Sequence, residues 1–165
     1  MRRTLASLLA IMLILFVGAP ALAAAAQASG VQWRWPVDSS RSIVRPFIAP
    51  ETPYSAGHRG IDIRAPDGIV YAPASGVVHF AGFVVDRPVL SIRHPGGLLS
   101  SFEPVSTSLV EGDLIAGGAL IGTVLPGHCS ELCLHFGVRL NGEYVSPLNY
   151  LGGIPRSVLL PTRWP

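Results

Sequence analysis

The chain has 165 residues, 49% of them hydrophobic, with twelve basic and ten acidic side chains. That length suits one domain with its own core, and the near-balance of charge excludes the basic surface that nucleic acid would require. No lysine occurs anywhere in the sequence, which excludes a carrier role that depends on a group attached to a lysine side chain.

In chain order, Met1-Arg2-Arg3 precedes an apolar run from Leu5 to Val17 and then small residues from Ala19 to Ala28. This is the charged, apolar and A-x-A-like series of a secretory signal. The apolar run is about 13 residues, shorter than the ~20 a membrane-spanning helix needs. Residues 1–28 therefore read as a signal peptide, with an uncleaved anchor as the alternative. The protein is expected to be exported, extracellular or associated with the cell wall. Removing the leader takes Arg2 and Arg3 with it and leaves a formally neutral chain of about 137 residues with no second apolar stretch and no expected membrane contact. Residues 29–57, with Trp33, Trp35, Pro36, Pro46, Pro50 and Pro53, read as an irregular lead-in packed on the domain.

From 58 to 151 the chain reads as β-structure. Runs rich in Val, Ile and Phe predict strands at 69–72, 76–82, 89–94, 98–102, 120–125 and 134–140. Pro66-Asp-Gly68, Pro95-Gly-Gly97, Gly117-Gly118 and Asn141-Gly142 supply the turns between them. The expectation is an all-β domain, an antiparallel sandwich or barrel, closed by a strap over 152–165. His79 and His94 read as surface or turn residues, and Trp33, Trp35 and Trp164 as packing rather than glycan-binding side chains.

Two places carry chemistry. In Gly57-His-Arg-Gly-Ile-Asp62, a straight strand would set His58 and Asp62 about 13 Å apart, whereas zinc needs each within ~2.2 Å. Gly60 can adopt backbone angles closed to other residues, so a turn at Arg59-Gly60, with a strand starting near Ile61, would bring both to one ion. In Cys129-Ser-Glu-Leu-Cys-Leu-His135, Cys133 and His135 are two apart and share a face if this is a strand. A histidine in so apolar a strand is costly unless paired or bound to metal. Two His and one carboxylate with a fourth position open make a catalytic zinc set.

The segments His58-Arg-Gly-Ile-Asp62, Ala74-Ser-Gly-Val-Val78, Gly112-Asp113…Ile121-Gly122 and Leu134-His-Phe136…Asn141-Gly142…Pro147-Leu-Asn-Tyr150 resemble the lysostaphin/LytM-type zinc metallopeptidases. The resemblance implies the duplicated hybrid motif, a β-fold of the glucose-permease type. It also implies Zn2+ on His58, Asp62 and His135, and cleavage of peptide cross-links in peptidoglycan. The sequence departs from the pattern at two positions. The family's H-x-H reads Cys133-Leu-His135, and its Tyr-x-His reads Phe102-Glu-Pro104, so both usual catalytic histidines are absent.

Three residues are weighed as substitutes. Glu103 is a candidate catalytic base, although its neighbour Pro104 holds the expected column, which turns Glu103 toward the opposite face unless a bulge intervenes. His128 is a second candidate catalytic group, against the plainer reading of a solvated loop histidine. Cys133, as a thiolate, would complete a closed four-ligand zinc site. In an oxidising compartment, with Cys129 four residues away, a Cys129–Cys133 disulfide is expected instead; closing that loop is worth about 2 kcal/mol. A catalytically inactive relative that binds cell-wall peptides or regulates a partner hydrolase is the rival to an endopeptidase.

Overall fold

The computed structural model describes residues 32–38, 41–52 and 54–152. The expected signal peptide lies outside them, as does the expected strap beyond Gly152. Eleven strands, a 3-10 turn at Pro95–Gly97 and one short α-helix are formed among these residues. They are β1 (Ile43–Arg45), β2 (Gly60–Arg64), β3 (Ile69–Tyr71), β4 (Gly76–Val84), β5 (Arg87–Arg93) and β6 (Leu98–Glu103). The chain continues with β7 (Val105–Ser106), β8 (Leu114–Ile115), β9 (Leu120–Val124), β10 (Cys133–Leu140), β11 (Glu143–Val145) and the helix α1 (Leu148–Leu151). Every strand pairing is antiparallel.

The larger sheet runs β1-β2-β10-β6-β5-β4-β8, with β11 hairpinned onto β10, and the smaller runs β3-β9-β7. Alternation sorts the residues into two faces. Ile61, Ile63, Leu90, Ile92, Phe102, Leu134, Phe136 and Val138 point inward and are essentially without solvent exposure. The all-β antiparallel expectation is therefore what the chain forms, and each apolar run becomes a strand because its bulky residues recur every second position.

The hairpin β10–β11 turns on Asn141 (φ 51°) and Gly142 (φ 94°), the pair of left-handed residues that matches the twist of the flanking strands. The lead-in is less irregular than expected. Its residues 43–45 add the edge strand β1 to β2, and Trp33 is buried against His94, Phe136 and Tyr150.

His94 is a second departure. It is 5% exposed; its Nδ1 donates to the Ser75 carbonyl at 2.8 Å and its Nε2 accepts from the Ser100 hydroxyl at 2.8 Å. A polar ring flanked by polar partners at both nitrogens can enter a core, which a residue before a Pro-Gly-Gly turn gave no reason to expect. Burial lowers its pKa, against the opposing pull of the Ser75 hydrogen bond. His79 stays exposed beside Arg93. Among the described residues, no helix is long and apolar enough to cross a membrane.

Candidate metal centre

The site is built on the outer face of the larger sheet, where β2, β10 and β6 lie side by side. Asp62 in β2 is directly opposite His135 in β10, and His135 is directly opposite Glu103 in β6. Residues so paired project from the same face with Cβ atoms about 4.5–5.5 Å apart. Their sequence neighbours Ile61, Ile63, Leu134, Phe136 and Phe102 fill the core on the other side. The apolar residues thus fix which way the polar ones point.

His58 reaches this rung from outside the strand. It is bridged to Ile48 by two backbone hydrogen bonds, of 3.0 and 2.8 Å. The chain then bends at Arg59 and enters β2 at Gly60. The bend does what the sequence required, setting His58 Nε2 3.1 Å from Asp62 Oδ1.

Gly60 serves differently from the expectation. It is not among the residues with left-handed φ; a Cβ built there would stand 2.6 Å from His135 Nε2 and 2.5 Å from the Phe136 carbonyl. Glycine is present because the imidazole of His135 lies across its backbone. The sequence signal was the glycine itself, but its cause needed the opposite strand.

Asp62 Oδ1 is the point of convergence. His135 Nδ1 lies 2.7 Å from it, His128 Nε2 3.0 Å and His58 Nε2 3.1 Å, with 3.1 Å between His58 Nε2 and His135 Nδ1. One ligand atom from each of the four residues falls within 4.8 Å of the others. Imidazole nitrogens and a carboxylate oxygen are the donors zinc takes. His58 also has the outer partner such ligands usually carry, since its Nδ1 donates to the Pro46 carbonyl at 2.7 Å and leaves Nε2 aimed inward. No side-chain motif announces a backbone carbonyl, so sequence reading missed Pro46. The residues fit a divalent cation of the zinc type.

Burial by itself raises the Asp62 pKa, but hydrogen bonds and positive charge from His135 and His128 outweigh it and lower the group from 3.8 to about 2. The carboxylate is therefore ionised at any pH near neutrality.

His128 is not the solvated loop residue of the plainer reading. Its side chain is 16% exposed and meets Asp62. Cys129 and Cys133 form a disulfide, with no free cysteine among the described residues. The thiolate alternative for Cys133 is thereby set aside. Glu103 also departs from expectation. Register places it on the His135 face, whereas Pro104 follows the last residue of β6 and lines the cavity beside His128. Beside His128 opens a cavity of about 310 Å3, lined by Phe83, Arg87, Pro104, Leu125 and Pro126 among others.

Comparison with known proteins adds to this geometry. Residues 56–147 match Peptidase family M23. An uncharacterized protein of Mycobacterium tuberculosis is 38% identical over 141 residues, covering 81% of this chain and 57% of that protein. The murein hydrolase activator NlpD of Escherichia coli is 33% identical over 123 residues, covering 72% of this chain and 31% of its own. The chain thus matches little more than half the length of the mycobacterial relative and under a third of NlpD. Among solved structures, a chain of the SpoIIQ-SpoIIIAH pore forming complex superposes with a TM-score of 0.62 at 26% identity, covering 73% of this chain and 90% of that one.

Proposed function

This chain belongs to peptidase family M23, and from that premise we propose that it is an exported zinc endopeptidase acting on the peptide cross-links of peptidoglycan. His58, Asp62 and His135 hold the zinc in this reading. The working unit spans residues 58–151, with the lead-in of 29–57 packed on it. The leader-like sequence of residues 1–28 supports export. The observation that carries the reading is the convergence of three imidazoles on one buried carboxylate oxygen beside an open cavity.

Zinc held there would polarise a peptide carbonyl and bring water toward ionisation near neutral pH. The chain's own groups supply the rest. Asp62 remains an anion and offsets the cation's charge. The Pro46 carbonyl keeps His58 in the tautomer whose Nε2 faces the site. Glu103, which shares the rung of His135, would in this reading take a proton from the attacking water and pass it to the departing amine. Such proton transfer contributes typically ~10²–10⁴-fold. It takes over the work of the histidines whose columns hold Pro104 and Cys133.

A second reading has its own support. Those two replacements, together with the likeness to a murein hydrolase activator, favour a protein that binds cell-wall peptide and stimulates a partner hydrolase. Digestion of purified peptidoglycan by the zinc-loaded protein, followed by chromatography of the fragments, separates the two. Conversion of cross-linked dimers to monomers is expected, slowed about 10²–10⁴-fold in Glu103→Gln with zinc binding unchanged. No conversion at full zinc loading, with peptide still bound and a second hydrolase accelerated, would establish the regulator instead.

A further inference from the structure

We propose that His128 is a fourth protein ligand of the metal, closing the site with three imidazoles and one carboxylate, and that the Cys129–Cys133 disulfide holds it there. This rests on the zinc reading above and goes beyond it, since the three-residue set leaves the fourth position open.

Distance makes the case for a ligand. A tetrahedral zinc with bonds of ~2.0–2.1 Å keeps neighbouring donor atoms about 3.3 Å apart. His128 Nε2 lies 3.0 Å from Asp62 Oδ1, the same oxygen that faces His58 at 3.1 Å and His135 at 2.7 Å. A histidine acting on the site through an intervening water would stand farther out by roughly another hydrogen-bond length, about 3 Å. His128 instead stands level with the other donors. Its ring packs edge-on against His135 with centroids 5.3 Å apart, much as His58 does at 4.8 Å.

Connectivity explains how a loop residue reaches this position. Cys129 follows His128 directly, and its disulfide ties it to Cys133, the first residue of β10, which is paired with Arg64 of β2. The far side of the loop is pinned as well. Arg64 pairs with Glu131 at 2.7 Å, and the Ala65 amide donates to the Leu132 carbonyl at 3.0 Å. Gly127, with φ 115°, makes the reversal just before the histidine. Cys133 occupies the position where the resemblance places a histidine on the strand. Here that position anchors a bridge that delivers a histidine from the loop.

A zinc site with four protein ligands has no open place, so the turnover proposed above would require His128 to give up its place to water or substrate. The positioning role belongs to the disulfide; His128 is the group that touches the metal.

The test uses the full exported chain loaded with Zn2+ or Co2+. X-ray absorption on the zinc form should count three imidazoles with no water, and the visible spectrum of the cobalt form should not change when azide is added. In His128→Ala the cobalt spectrum should respond to azide, and zinc should bind at least about tenfold more weakly, the loss seen even for outer partners of a ligand. In Cys129→Ser/Cys133→Ser the azide response should appear with His128 still present.

A wild-type protein with two imidazoles and a water at zinc, whose cobalt spectrum already responds to azide, would overturn the closed site and leave the zinc reading standing. A folded wild-type protein that takes up neither metal would overturn both. A double-serine variant indistinguishable from wild type would remove the role given to the disulfide. The imidazole count on the wild-type protein needs no variant, so a variant that fails to fold does not block the decision.

Discussion

Gly60 and His94 illustrate how a single position acquires its meaning from across the sheet. At Gly60 the constraint is the His135 ring and the Phe136 carbonyl, both too near to admit a Cβ. Gly60→Ala should push the ring away from Asp62. Overpacking of this kind costs ~1–3 kcal/mol, and the zinc dissociation constant, measured by competition with a chromophoric chelator, should rise together with the loss in thermal stability. His94 makes a separate prediction. Its folded pKa lies below 6.5 because of burial, so between that value and 6.5 the unfolded chain binds a proton that the folded chain does not. Stability contributed by neutral His94 is thus present above 6.5 and lost as pH falls toward the folded value. Urea unfolding at pH 7 and pH 5 should show the drop, and His94→Gln should reduce it.

At the scale of elements, the register of three strands assembles the site. Asp62, His135 and Glu103 come from β2, β10 and β6, and their alignment follows from the core residues on the opposite face of the same strands. A slip of one residue would turn all three inward. The hairpin β10–β11 is one device that sets β10's outer end. Gly142→Ala places a side chain at φ 94°, where L-residues are strained by about 1–2 kcal/mol. Its unfolding free energy, from denaturant titration, should fall by that amount while zinc affinity stays unchanged, because the turn lies at the end of β10 away from His135. The strand pattern and its turns were legible because alternation of large apolar residues is written locally. The three-residue strands β1 and β11 and the two-residue strands β7 and β8 were not legible, being too short to show a period and formed only because a neighbour offers unpaired backbone groups.

Taken as a whole, the molecule separates its stability from its chemistry. The core between the sheets, into which Trp33 packs beside His94, Phe136 and Tyr150, is built mainly of apolar side chains and lies on the face opposite the rung where the donors converge. Metal removal should therefore leave the fold intact. Far-UV circular dichroism of the chelator-treated protein should match that of the loaded protein. Its melting temperature should be lower, since free zinc at a hundred times its dissociation constant stabilises the binding state by about 2.7 kcal/mol. Loss of the β-sheet signal on chelation would show that the core depends on the ion.

The sequence by itself determined the strand-rich architecture, the candidate donors His58, Asp62 and His135, and the disulfide, because each rests on near neighbours or on a motif of fixed spacing. Tertiary structure alone decided which side Glu103 faces, why residue 60 lacks a side chain, and that His128 stands level with the other donors. These depend on atoms brought together from distant parts of the chain. Asp62 and His128 are 66 residues apart in sequence and 3.0 Å apart in space, and only the pairing of β2 with β10, with the disulfide bridging out from it, relates the two.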